Sequence, residues 1–288
     1  GKIIYFEDSC LPMKLLVTHA VSLKGEVDHL FVPRLVSLHR NYIMCPKFRG
    51  APDIVRLAIE GNISIIDETI DLRTRENSLF QCFLKIGEKL GASKKEVKQA
   101  FIKGEQSYSK FKKEWIGRIN QLPLKDLFQL NILTPFKERR STLRIAFVGH
   151  PYNLFDNDIN KDVLALTKNL GIEIVTSDLL SEKEIDRQIS DLSKEIYWSS
   201  GREIVGALFH FLKGGVDGVV FLTSFKCGID ALLQEFIKRS LKVQGETSIP
   251  FLVLSFDEHT GREGLVTRLE AFRDVMESQK EFRSQVKV

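Results

Sequence analysis

The stretch Val216-Asp217-Gly218-Val219-Val220-Phe221-Leu222-Thr223-Ser224-Phe225-Lys226-Cys227-Gly228 decides the fold. Residues 216–225 form a near-continuous apolar run, which suits a strand covered on both faces rather than one with a wet side. Helical periodicity follows over Gly228 to Lys242, and Pro250 to Phe256 is a second apolar strand. Working upstream, Arg144 to Gly149 reads as a buried strand, Lys161 to Leu170 as an amphipathic helix stopped by Gly171, and Ile172 to Val175 as a strand. Ser181 and Glu184, Ser200 and Glu203, and Thr267 and Glu270 each have the spacing of a capping box. They predict helices over 181–192, over Ile204 to Leu212 and over Thr267 to Lys280. Strands alternating with helices in this way predict a parallel, doubly wound sheet.

The upstream half repeats the pattern less regularly. Lys14 to Leu23 reads as a helix, Val27 to Val32 and Ile63 to Ile66 as strands, and Asn77 to Leu90 as a helix ended by Gly91. A capping box at Ser93 and Glu96 opens a long helix to Ile119, and Pro123 to Ser141 reads as a linker. Gly25-Glu26-Val27-Asp28-His29-Leu30-Phe31-Val32 echoes Gly215-Val216-Asp217-Gly218-Val219-Val220-Phe221-Leu222. The expected fold is therefore α/β, with two Rossmann-like lobes facing each other across a cleft, mostly parallel doubly wound sheets and a helical insertion. The N-terminal lobe spans 1–141 with the helical segment 77–122, and the C-terminal lobe spans 142–288. The first residue is Gly and the chain enters a strand almost at once, so an upstream strand–helix unit is expected to precede it.

The 288 residues allow about two domains. A net charge of +4 on 42 basic and 38 acidic residues gives neither a nucleic-acid footprint nor a polybasic membrane anchor. No apolar run approaches the roughly 20 residues of a membrane span, and no signal peptide opens the chain. A cytoplasmic location is expected.

Three of the four cysteines share one context. Cys10 closes the run Ile3 to Ser9 and precedes Leu11-Pro12, Cys45 closes Tyr42-Ile43-Met44 and precedes Pro46, and Cys227 precedes Gly228. Ligands of open α/β sheets bind outside the carboxyl ends of strands. Three thiols delivered there suit an iron–sulfur cluster with one unprotected iron. Proline stiffens the two upstream loops. Gly228 permits close backbone approach and starts a helix whose dipole favours an anion. Rival readings are small buried hydrophobes, a zinc site with His19, His39 or His150 as fourth ligand, and a Cys–His pair. Cys82, inside the helical pattern Leu79 to Leu84, reads as a core residue.

Asp257-Glu258-His259-Thr260-Gly261 and Gly149-His150-Pro151-Tyr152-Asn153 follow strands and form site edges, with His259, Glu258 and His150 as candidate proton donors. Arg34 could reach the same cleft or form a structural ion pair, and Lys226 and Arg202 could meet an anionic substrate or be solvated. There is no dinucleotide fingerprint and no phosphate loop.

Together Asp8-Ser9-Cys10-Leu11-Pro12-Met13-Lys14, Phe31-Val32-Pro33-Arg34, Cys45-Pro46, Gly149-His150-Pro151-Tyr152-Asn153, Thr223-Ser224-Phe225-Lys226-Cys227-Gly228 and Asp257-Glu258-His259-Thr260-Gly261 resemble the 2-hydroxyacyl-CoA dehydratase-like superfamily. They are closest in pattern to its branch related to CoA-substrate-specific enzyme activases. The resemblance runs through most of the chain in order. It implies Rossmann-like lobes carrying a [4Fe–4S] cluster in the interlobe cleft, on Cys10, Cys45 and Cys227. It also implies low-potential electrons delivered by an ATP-hydrolysing iron–sulfur activase, and an anaerobic source. The reaction implied is reduction or dehydration of a small or CoA-linked substrate. A double-cubane cluster needs further ligands from a homodimeric or related second subunit. The activase's own ATP-binding segments are absent here. The alternatives are a non-catalytic iron–sulfur electron-transfer or scaffold subunit and a zinc-stabilised α/β binding protein.

Overall fold

A computed structural model describes residues 8–59, 61, 63–74, 78–119, 143–190, 192, 196–243 and 249–286. It is an α/β structure with parallel strand pairing throughout its ladders. The chain divides into two compact units, Gly1–Leu122 with Ile196–Ser199, and Pro123–Glu195 with Ser200–Val288. The strand expected over Ile3 to Ser9 and the linker Pro123 to Ser141 lie wholly or largely outside the described residues.

In the first unit, helix α1 (Leu11–Ser22) lies against α2 (Pro46–Ala58). Met13, Val17 and Ala20 of α1 share one core with Ala51, Val55 and Ile59 and with Leu30 and Val32. Strand β1 (His29–Phe31) pairs in parallel with β3 (Ser64–Ile66), and β2 (Arg34–Ser37) with β4 (Thr69–Asp71). Helix α2 carries no clear sequence signal, because Pro46, Gly50 and Pro52 all argue against a helix. Pro46 is tolerated in the first turn, where its missing N–H would lack an intrahelical partner anyway, and burial of Ala51, Pro52 and Val55 outweighs local propensity. The run Tyr42-Ile43-Met44 makes only isolated bridges, Tyr42 to His39 and Ile43 to Trp198. Helices α3 (Leu79–Lys89) and α4 (Lys94–Ile119) are capped by Ser78 and Ser93, and Phe101 meets Phe80 and Phe83 edge-on or tilted.

The second unit is built on a four-stranded parallel sheet of β5 (Arg144–Gly149), β6 (Glu173–Thr176), β7 (Gly218–Ser224) and β8 (Phe251–Phe256). Its order is β6-β5-β7-β8. Every residue of β7 is buried, as the continuous apolar run requires. Around the sheet run α5 (Pro151–Phe155), α6 (Asn157–Asn160), α7 (Val163–Asn169), α8 (Glu182–Ile189), α9 (Ser199–Lys213), α10 (Gly228–Val243) and α11 (Arg262–Val286). The architecture is compatible with a Rossmann-like lobe. The echo between the halves extends to the backbone: Gly25 and Gly215, at φ 86° and 75°, both sit in the left-handed region ahead of a parallel strand.

Three expected helix starts differ. Lys161 and Asp162 adopt φ 53° and 62°, so α7 begins at Val163. Helix α9 begins at Ser199, which puts Ser200 inside the first turn rather than at the cap. Helix α11 begins at Arg262, so Thr267 is interior and its hydroxyl donates to the Glu263 carbonyl at 3.2 Å. Gly264 lies inside α11, where an exposed helical glycine costs only about 1 kcal/mol relative to alanine. No helix among the described residues is long and apolar enough to cross a membrane.

Candidate metal centre

In the first unit, Cys10 and Cys45 occupy the same position, the N-cap of a helix with proline in its opening turn. Their backbones are nearly identical, with φ/ψ of −66°/154° and −61°/156°. The Phe48 N–H donates to Cys45 Sγ at 3.5 Å. Burial pushes the Cys45 thiol up, backbone N–H groups of Phe48 and Lys47 oppose this, and the nearby Cys10 sulfur adds to it. The two sulfurs are thus electrostatic neighbours, each at the N-terminus of a helix. Lys47 ties the two loops together: its Nζ donates to the Asp8 carbonyl at 3.1 Å and to Ser9 Oγ at 3.2 Å. Cys82 is buried in α3, apart from this arrangement, and its thiol donates to the Thr69 carbonyl at 3.5 Å. Burial pushes it up as well.

In the second unit, the sheet order reverses at β5, whose neighbours are β6 and β7. That reversal makes a topological switch point, where open parallel sheets bind ligands. β5 ends at Gly149 and is followed by His150, and the segment after β7 is Phe225-Lys226-Cys227, with α10 starting at Gly228. His150, Cys227 and Asp230 each offer one donor atom, all within 4.8 Å of one another, and so form a group able to hold a metal ion. His150 and Asp230 are buried and Cys227 is half-buried. The site is held by Asn153, fully buried, whose Nδ2 donates to the Leu222 carbonyl at 3.3 Å and whose Oδ1 accepts from Ser224 Oγ at 2.7 Å. A cavity of about 330 Å³ opens beside Cys227, with Thr223, Lys226 and Gln234 among its walls. Lys226 is exposed at its rim in the left-handed region, φ 66°, with Nζ over the Phe225 ring.

Of the sequence-predicted proton donors, only His150 enters this group. Glu258 and His259 are exposed on the turn after β8, where Asp257 Oδ1 accepts from the His259 N–H at 3.0 Å and from Thr260 Oγ at 2.8 Å. The Thr260 hydroxyl is the chief reason that the Asp257 carboxyl lies below its ordinary range. His19 and His39 belong to no metal-capable group among the described residues. Arg34 makes a bidentate pair with Asp53 at 2.7 and 2.8 Å, and Arg202, 2% exposed, is held by Asp186 at 2.6 Å; both are structural pairs. Asp230 was missed from sequence. The signal was there in Cys227-Gly-Ile-Asp230, since residues three apart share a helix face.

The fold and the site define an α/β protein with a Cys–His–Asp metal-capable group at the switch point of a parallel sheet. A family model described as the CoA enzyme activase uncharacterised domain matches residues 2–180, more than half of the chain, and the chain belongs to that family. The match supports the relation to CoA-enzyme activases and dehydratases, and it ends before β7 and Cys227. No curated protein matches the chain significantly.

Proposed function

We propose that this protein is an iron–sulfur component of the 2-hydroxyacyl-CoA dehydratase-like kind, built from two Rossmann-like lobes divided near residue 141. Cys10, Cys45 and Cys227 are its thiolate ligands for a [4Fe–4S]-type cluster. An ATP-hydrolysing activase is its electron source, and a small or CoA-linked molecule is its substrate for reduction or dehydration. When bound, such a cluster supplies low-potential one-electron chemistry.

The observation that carries the reading is local and chemical. In a chain of this family, Cys10 and Cys45 form a matched pair at two helix N-termini, and Cys227 lies in a metal-capable group at a strand's carboxyl end. The donor set fits. Burial makes a bare Cys45 thiolate costly, and a bound metal relieves that by replacing the proton. Pro12 and Pro46 fix φ in the first helical turns and hold the sulfurs in place. His150 carries a proton at Nε2, shared with Asp230 at 2.8 Å, while Glu258 and His259 are proton carriers at the exposed loop. Lys226, at the rim of the cavity, attracts an anionic substrate. A second reading, a zinc-stabilised binding protein, is favoured by the mixed nitrogen, sulfur and oxygen donors around Cys227.

The deciding experiment is iron, zinc and acid-labile sulfide analysis with an absorption spectrum, on protein purified without oxygen. About four irons and four sulfides per chain are expected for one cubane. Cys10→Ala, Cys45→Ala and Cys227→Ala should each remove iron. Stoichiometric zinc without sulfide supports the second reading. Full iron in any of the three variants refutes the ligand assignment.

A further inference from the structure

A buried polar chain lies beside Cys227. The side chain of Asp230 is fully buried and that of His150 is 6% exposed. Both carboxylate oxygens are engaged: Oδ1 with His150 Nε2 at 2.8 Å, and Oδ2 by the Thr223 hydroxyl at 2.8 Å. A carboxylate can only accept, so Nε2 is the protonated nitrogen. The Tyr152 ring stacks on the imidazole, with centroids 4.8 Å apart and planes 12° from parallel. The imidazole is therefore fixed at its edge by Asp230 and on its face by Tyr152.

Burying such a chain is expensive, because a desolvated carboxylate is tolerated only when its oxygens are bonded. Apolar side chains would fill the same space at lower cost. The chain does, however, end at a sulfur. Cys227 Sγ, a nitrogen of His150 and an oxygen of Asp230 lie within 4.8 Å of one another. That spacing sets two buried polar partners directly beside the proposed ligand sulfur. Metal ligands are commonly oriented by such partners, which tune affinity and potential.

We infer that Thr223, Asp230 and His150 form the outer support of Cys227. They hold the imidazole against the sulfur, and so set how firmly Cys227 keeps iron and at what potential the centre works. This rests on the functional reading above, because it needs Cys227 to be a ligand. It makes His150 and Asp230 positioning residues, independent of any contact with substrate.

Two variants test it in the reconstituted, oxygen-free chain. Asp230→Asn keeps the side chain's shape but removes one accepting oxygen and its charge; Thr223→Val removes the hydroxyl at similar volume. Iron loss to bathophenanthroline disulfonate should be about 10–100-fold faster than in the wild type, the range typical of outer-shell changes. In Asp230→Asn the midpoint potential should rise, because losing a neighbouring negative charge favours the added electron. A purely structural role would leave the potential of the intact centre unmoved. If both variants are folded by circular dichroism, lose iron at the wild-type rate and titrate at the wild-type potential, the inference is overturned while the ligand reading stands. Unfolding of both variants in the metal-free state also overturns it, since the chain would then serve the fold. Full iron in Cys227→Ala, or none in the wild type, overturns the ligand reading and this inference with it.

Discussion

Gly149→Ala is the substitution that most directly probes how the switch point is built. Gly149 ends β5 opposite Leu222 of β7. A Cβ there would sit 2.6 Å from the Leu222 carbonyl oxygen and 3.2 Å from its Cβ. Even a favourable Cα–H···O contact needs about 3.3 Å between carbon and oxygen, so the strands must part locally by about 0.7 Å. The obstacle is backbone inside a ladder buried at every β7 position, so it has little room to yield. The same carbonyl accepts from Asn153, which in turn accepts from Ser224, so moving it loosens the whole clamp around Cys227. Overpacking costs about 1–3 kcal/mol, and weakening a buried hydrogen bond adds about 1 kcal/mol or more. The expected loss is about 2–4 kcal/mol, which lowers the urea midpoint of the second unit by about 1–2 M at a typical slope of about 2 kcal/mol per M. Urea unfolding of the metal-free protein, followed by circular dichroism, measures it. Gly228→Ala is the internal control: its Cβ meets nothing within 4 Å, and alanine is the better helix former. It should leave the midpoint unchanged or slightly raised. A Gly149→Ala midpoint equal to wild type, or a Gly228→Ala loss of similar size, refutes the reasoning.

Ser181→Ala removes the cap of α8, whose hydroxyl accepts from Glu184 N–H and donates to the Glu184 carboxylate at 2.7 Å, and should cost about 1 kcal/mol in urea unfolding. Cys82→Ala should keep full iron while lowering stability, because a buried thiol in α3 is lost without touching a proposed ligand; metal analysis and a thermal melt read the two effects separately. Asp257 is held below the ordinary carboxylate range, first by the Thr260 hydroxyl, so its stabilising effect is complete at neutral pH and fades as pH falls below about 4 toward the lowered value. Asp257→Asn should therefore lose stability at pH 7 and show a flatter acid limb than wild type between pH 6 and 2.5, measured as urea midpoint against pH.

The second unit was legible because its elements are long and one-sided. The run 216–225 could hardly be anything but a buried strand, and Ser181 with Glu184 announced α8 through a reciprocal cap. The first unit was harder. Strands β2 and β4 are three or four residues long and half-buried, too short for a period to declare itself. Helix α2 runs through two prolines because its buried face outweighs propensity. Thr267 shows the opposite error: a local capping pattern was present, but the tight Asp257–Thr260 turn lets α11 start at Arg262, before the pattern begins.

For the site, the cysteines and His150 were visible and the rest of their company was not. Cys10 and Cys45 each precede a proline in an opening helical turn, a chemical pattern that needs no tertiary knowledge. Asp230, Asn153 and Thr223 are different, because their roles depend on which strands are neighbours. Gly149 faces Leu222 only because the chain places β7, not β6, on that side of β5. Once that order is fixed, His150 from one strand end and Asp230 from the helix after the other must meet beside Cys227. A helix N-terminus would favour an anionic centre wherever it lay. The buried carboxylate behind the imidazole has no such general reason to exist, and so it says more about this protein than the cysteines do. An apolar filling of the same space would cost less than this desolvated Asp–His pair with both carboxylate oxygens bonded, so Asp230→Asn and Thr223→Val are the sharper probes of what Cys227 is held for.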